Sequence, residues 1–284
     1  MKELTADELK KVEIEILKTV ANYCDNNGLR YYLCGGTLIG AIRHKGFIPW
    51  DDDIDIIMLR TDFMKFIESF NSNNKYYKVN CIFNNSKWYS TFAEVEDIRT
   101  IKTYNTFNLS EIHGVNIDIF ITDGSPNNYF IRRIFWMLNN VLARILTLSH
   151  QKFTISNHYN DIDTQNTNLK KYLRTAIKFM AIPFARCTRI LNLAMIINKI
   201  AMCFDVDKSE YIGVSTFPHY GYRECVKAKD FLPIEKREFE GYFFNTPKNY
   251  NEYLSNLYGD YMKIPPKDKQ VSHHDFTAYW KDEY

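Results

Sequence analysis

Leu33-Cys34-Gly35-Gly36-Thr37-Leu38-Ile39-Gly40-Ala41-Ile42-Arg43-His44-Lys45-Gly46-Phe47-Ile48-Pro49-Trp50-Asp51-Asp52-Asp53-Ile54-Asp55-Ile56 opens on a glycine pair and closes on four aspartates. Successive side chains of a strand point to opposite faces. A strand over 53–59 therefore puts Asp53 and Asp55 on one face, with Asp51 continuing that face if the strand begins early. Ile54 and Ile56 point into the core, and Asp52 is left as a bystander. Two carboxylates held side by side repel strongly in a low-dielectric site. A divalent cation offsets that most simply, and magnesium favours a few carboxylates plus substrate phosphate oxygens. The alternative is a solvated acidic turn, but this run abuts isoleucines and follows Pro49-Trp50.

Working outward, the glycines read as a tight turn over Cys34–Thr37, with a helix beginning over Leu38 to His44. Glycine lets backbone approach a ligand closely, and a helix start offers N–H groups to phosphate. A lone Gly-Gly is an ordinary turn; followed closely by Asp-x-Asp, it is the pattern of a nucleotidyltransferase active site. Upstream, Thr5 and Glu8 have capping-box spacing. Leu9, Val12, Ile16, Leu17, Val20 and Cys24 recur at helical spacing until Asn27-Gly28. Leu29 to Leu33 is a short strand. Downstream, Thr61 is read as the cap of a helix burying Phe63, Phe66, Ile67 and Phe70. Strands follow near 77–83, 88–95 and 115–121, with a hairpin turn at Asn84-Asn85-Ser86 and a loop over 104–113. In the last strand Asp118 is surrounded by apolar residues. A charge there is costly unless paired or metal-bound, so Asp118 is the third candidate carboxylate, or else a hydrogen-bonded structural one.

The composition shifts near Gly124-Ser125-Pro126. Residues 129–148 and 169–204 read as apolar, basic helices separated by a polar loop over 149–168. The expected organisation is α+β: a catalytic core over 1–124, a helical insertion over 125–206, and a C-terminal part over 207–284 that completes the core. Net charge is only +2, which argues against a nucleic-acid partner. The six cysteines include no C-x-x-C pair, so neither a structural zinc site nor a disulfide framework is expected. No secretory signal or long apolar span is evident, and a cytoplasmic setting is expected.

The run from Leu33 to Ile56 resembles the signature of the LicD family of the nucleotidyltransferase-fold superfamily. Phe239-Glu240-Gly241, Pro247, Tyr250, Tyr253-Leu254, Tyr258-Gly259-Asp260-Tyr261 and Pro265-Pro266 resemble its C-terminal pattern. The resemblance covers roughly 29–122 and 231–270. It implies a mixed β-sheet core flanked by helices, and transfer of a phosphoalcohol unit to a cell-surface glycan or lipid-linked glycan precursor. Phosphocholine from CDP-choline is the leading donor; CDP-ribitol, CDP-glycerol and a true nucleotidyl transfer are the alternatives. Carried over, Asp53, Asp55 and Asp118 hold Mg2+ (or Mn2+) with Asp51 in support. Gly35, Gly36 and Thr37 hold donor phosphate, and Arg43, His44 and Lys45 add positive charge near it. One departure stands out. The family places a lysine, and often an arginine, ahead of the aspartate that here is Asp97, whereas this chain has Glu94-Val95-Glu96-Asp97. Arg99 or Lys102 is then the candidate to restore the charge. Because acceptors in this family are often lipid-linked, the basic helices, with Arg132 and Arg133, suggest peripheral contact with the inner face of the cell membrane. The alternative is that they pack on the core.

Overall fold

Helix α1 (Ala6–Asn27) starts and stops where its local chemistry dictates. Thr5 Oγ1 accepts from Glu8 N at 3.2 Å, and Glu8 Oε2 accepts from Thr5 N at 3.0 Å, closing the capping box. Gly28 ends the helix in the left-handed region at φ 64°. All six apolar positions expected to face inward are buried. The computed structural model describes residues 1–88, 90–104, 113–150, 181–270 and 276–282. Parts of the loops expected over 104–113 and 149–168, and residues 169–180 of the helical stretch expected over 169–204, lie outside them.

One nine-stranded mixed sheet organises the molecule. Its strands are β1 (Lys2–Glu3), β2 (Tyr31–Leu33), β3 (Asp55–Leu59), β4 (Tyr77–Asn80), β5 (Ala93–Tyr104), β6 (His113–Ser125), β7 (Tyr211–Gly213), β8 (Val226–Lys227) and β11 (Phe276–Trp280). The main path runs β1-β11-β5-β6-β3-β2, with β4 added to β5, β7 to β6 and β8 to β7. Among the described strands only β3 and β6 pair in parallel. A separate hairpin joins β9 (Ile234–Phe239) to β10 (Tyr242–Pro247). Further helices include α2 (Gly35–Ile39, running on as a π-helical stretch to His44), α3 (Arg60–Asn73), α4 (Tyr129–His150), α5 (Leu193–Ala201), α6 (Ala228–Phe231) and α7 (Tyr250–Tyr258), and residues 181–187 are also helical. The fold is α+β, as expected.

Several boundaries differ from the sequence reading. The helix expected from Leu38 begins at Gly35, so the glycine pair lies inside its first turn. Thr61 does not cap α3: Leu59 holds the N-cap position, and the Thr61 hydroxyl donates to Asp207 Oδ2 at 2.9 Å. The strand expected over 53–59 starts at Asp55, leaving Asp51, Asp52 and Asp53 in the approach to it. The strand expected at 88–95 begins at Ala93 and runs on to Tyr104. β6 runs through the composition shift to Ser125, and β7, β8 and β11 return to the same sheet. The first 124 residues and the C-terminal part thus share one hydrophobic core, from Leu4 to Ala278.

Candidate active site

β6 shows the alternation that builds the site. Val115, Ile117, Ile119 and Ile121 are buried, while Asn116, Asp118 and Phe120 are half-buried on the other face. Parallel pairing sets Asp55 of β3 beside Asp118. Antiparallel pairing on the other side sets Glu94 opposite Asp118 and Glu96 opposite Asn116. Backbone bonds fix this register: Asp118 N donates to Ile54 O at 2.9 Å, and Cys34 N donates to Asp55 O at 3.2 Å.

Asp53 and Asp51 crowd against Asp55. Burial first, then the charges of Asp53, Asp118, Asp51 and Glu13, push the Asp55 carboxyl well above the usual carboxylate range. A cation relieves that crowding. Among the described residues no three His, Cys, Asp or Glu side chains converge as a ready-made metal cage. Magnesium binds through one or two carboxylates and completes its shell with water and substrate phosphate. Asp55 and Asp118, side by side on parallel strands, are two carboxylates of that kind.

The glycine pair lies against two of the aspartates. A β-carbon on Gly36 would sit 2.7 Å from Asp51 Oδ2, and one on Gly35 would sit 3.2 Å from Asp55 Oδ2. The glycines therefore let two carboxylates lie against the start of α2. The Thr37 hydroxyl is buried and accepts from Asp55 N at 2.8 Å. This bond ties α2 to the first residue of β3 and so orients Asp55.

The basic triplet is divided. Arg43 Nη1 donates to Tyr261 O at 2.6 Å, anchoring the C-terminal segment, while its Nε donates to His44 Nε2 at 2.9 Å. Burial and Arg43 hold the His44 pKa below its ordinary value. Lys45 Nζ pairs with Glu238 Oε2 of β9 at 3.6 Å. Of the two candidates to restore charge at the Glu94-Val95-Glu96 reversal, Arg99 is held by Asp97 and covered by Tyr76, Tyr77 and Trp280. Lys102 reaches the site, where its charge acts on Glu94 and Glu13.

Glu13 is a site residue that the sequence reading missed. It is buried in the apolar stripe of α1, and among the described residues its Oε2 has no hydrogen-bond partner. Burial, followed by Asp53, raises its carboxyl well above the ordinary range. The signal was present: a glutamate four residues after Leu9 lies on the core-facing side. Two aromatic residues complete the surroundings. A β-carbon on Gly35 would also sit 3.7 Å from the Tyr258 hydroxyl, and the rings of Tyr258 and Tyr220 meet edge-on at 5.0 Å.

Comparison with known proteins places this geometry. Residues 28–159 match the family model described as LicD/FKTN/FKRP, nucleotidyltransferase domain. The chain is also 33% identical over 282 residues to the lipopolysaccharide cholinephosphotransferase LicD of Haemophilus influenzae, covering 98% of this chain and 99% of that protein. The chain belongs to the LicD family. It is a phosphotransferase with a nucleotidyltransferase-like core, and the matched residues include Asp51–Asp55, Glu94–Asp97 and Asp118. A shorter similarity, 45% identity over 42 residues, links it to ribitol 5-phosphate transferase FKRP of human and of mouse, covering 15% of this chain and 8% of each of those proteins. Both relatives of this LicD chain transfer an alcohol phosphate, and they differ in the alcohol their names give.

Proposed function

We propose that this protein transfers phosphocholine from CDP-choline to a hydroxyl of a cell-surface glycan or a lipid-linked glycan precursor. The observation that carries the reading is the side-by-side placement of Asp55 and Asp118 on parallel strands, with Asp53 and Asp51 crowding Asp55. Near-complete alignment with a cholinephosphotransferase supports the choice of alcohol. So do Tyr220 and Tyr258, since aromatic faces attract a quaternary ammonium. Asp53, Asp55 and Asp118 would hold Mg2+ or Mn2+. When bound, the metal neutralises charge developing on the transferred phosphoryl group and its leaving oxygen. In the transfer, the acceptor oxygen bonds to the phosphorus that carries the choline, the bond to the bridging oxygen breaks, and CMP leaves. Asp118 accepts the proton of the attacking hydroxyl. Thr37 and the glycine pair hold Asp55 and Asp51 in position, so catalysis is largely positioning and electrostatics.

Lipid-linked acceptors also give the outward face of α4 a purpose, as a contact with the inner surface of the cell membrane. No helix among the described residues is long and apolar enough to cross one. The deciding experiment incubates the full chain with Mg2+, a glycan acceptor and, in parallel, CDP-choline, CDP-ribitol, CDP-glycerol and CTP. CMP released with CDP-choline at the highest kcat/KM supports the reading. Pyrophosphate released from CTP, with no turnover of any CDP-alcohol, rejects it.

A further inference from the structure

The ladder between β5 and β6 slips. Asp97 pairs with Val115, yet the next pair is Lys102 with His113, so β5 carries extra residues over this stretch. Side chains satisfy the backbone groups that the slip displaces. Glu96 Oε2 accepts from Gly114 N at 2.7 Å, and the Thr100 hydroxyl accepts from Val115 N at 2.7 Å while donating to Asp97 O at 2.7 Å. Asn80 Nδ2 donates to the other oxygen of Glu96 at 2.6 Å. Glu96, half of the charge reversal read in the sequence, is thus a structural part of the bulge. Bulges re-aim side chains next to functional sites, and this one brings Lys102 over the face that carries Asn116 and Asp118. Lys102 Nζ donates to Asn116 Oδ1, and Asn116 Nδ2 donates to Asp118 Oδ1 at 2.7 Å.

That chain has a direction. An ammonium can only donate, so it captures the amide oxygen of Asn116. The amide nitrogen must then face Asp118. We propose that Lys102 and Asn116 are positioning residues for Asp118: Lys102 fixes which way the Asn116 amide points, and Asn116 fixes one oxygen of the carboxylate that serves the metal and the acceptor hydroxyl. The inference deepens the phosphotransfer reading and rests on it for its kinetic arm alone.

The test uses the full-length protein with Lys102→Met, Lys102→Arg, Asn116→Ala and the double variant Lys102→Met/Asn116→Ala. Mn2+ binding is measured without donor, and kcat and KM for CDP-choline are measured separately. Partners of metal-ligating side chains commonly contribute about 10-fold in affinity or activity. Lys102→Met and Asn116→Ala should each weaken Mn2+ binding and lower kcat by about that factor, with KM for the donor unchanged. The double variant should be no worse than Asn116→Ala, because both changes break one chain. Lys102→Arg should restore most of the loss. The sign of the Mn2+ change is decisive. Removing a mere counter-charge from an acidic site would tighten cation binding, so tighter binding by Lys102→Met overturns the proposal. A raised donor KM with unchanged kcat and Mn2+ affinity also overturns it, since Lys102 would then be touching the donor. Asn116→Ala, which alters no charge, separates a positioning loss from a change of field. If no CDP-alcohol turns over, the phosphotransfer reading fails while the Mn2+ arm still decides this one.

Discussion

Asp55 combines burial with four neighbouring carboxyl groups, a costly arrangement for a metal-free protein. Asp55→Asn should therefore lower turnover on the order of 100-fold or more, by removing a charge from the proposed Mg2+ site. The same change should leave the thermal midpoint in EDTA equal to or above wild type, because it removes like-charge repulsion. A variant that loses stability and activity together would mark Asp55 as structural. Glu224 makes a different prediction. It is buried, accepts from Tyr220 N at 2.7 Å, and burial pushes its carboxyl up to about 8 from an ordinary 4.5. Between those values the native protein holds a proton that the unfolded chain has released. Stability therefore falls as pH rises from about 4.5 to about 8, and the contribution is fully present only below that window. Glu224→Gln keeps the acceptor oxygen and removes the titration. Its unfolding free energy between pH 5 and pH 8 should fall less steeply than that of wild type, by up to about 1.4 kcal/mol per pH unit. Parallel slopes for the two proteins would show that Glu224 does not titrate there.

At the scale of elements, the β5 bulge carries Lys102 to Asn116, and Gly114 makes it possible. A β-carbon on Gly114 would collide with the Asp97 carbonyl and crowd the Thr100 hydroxyl, both parts of the rigid bulge. Gly114→Ala should cost about 1–3 kcal/mol, as overpacking of a close-fitted interior does, seen as a lower urea midpoint at unchanged slope. A midpoint equal to wild type would mean that the bulge yields easily. Elements with strong local signals were legible in the sequence. α1 carried its cap, its apolar spacing and its terminating glycine in adjacent residues. The bulge carried no such signal, because its partners Glu96, Thr100 and Gly114 come from two strands and satisfy one another only after pairing. Strand alternation suggested that Asp53 and Asp55 share a face. The structure instead begins β3 at Asp55 and brings Asp53 in from the preceding segment. The neighbour of Asp55 along the sheet, Asp118, depends on the parallel β3–β6 pairing, which local periodicity does not encode. Glu13 was legible in principle, as a charge on an apolar face.

On the scale of the whole molecule, the chain's two ends close the sheet that carries the site. β11 pairs with β5 so that Ala278 lies opposite Lys102, and β1 pairs with β11 outside it. α4 leaves this core after Ser125, and its two faces differ sharply. The inner face buries Arg132, Phe135, Trp136 and Asn139, and Arg132 donates to Pro126 O, Asn127 O and the Tyr222 hydroxyl. Arg133 lies over the Tyr222 ring, and Arg144 donates to Asn140. These cations are engaged within the protein, so an Arg132/Arg133 double variant would test folding rather than membrane contact. The outer face presents Phe130, Ile134, Met137 and Val141 at helical spacing, with Phe130 74% and Met137 63% exposed. Burying one such side chain in an apolar phase contributes about 1.5–3 kcal/mol, enough for several together to hold a helix in a bilayer interface. Wild type should therefore float with phosphatidylglycerol-containing vesicles, and still do so in part with neutral ones. Phe130→Ser/Ile134→Ser should remain in the dense fraction while releasing CMP from CDP-choline with a soluble acceptor at the wild-type rate. Wild type left in the dense fraction with both vesicle types would remove the membrane from this reading, and the apolar face of α4 would then need a protein partner.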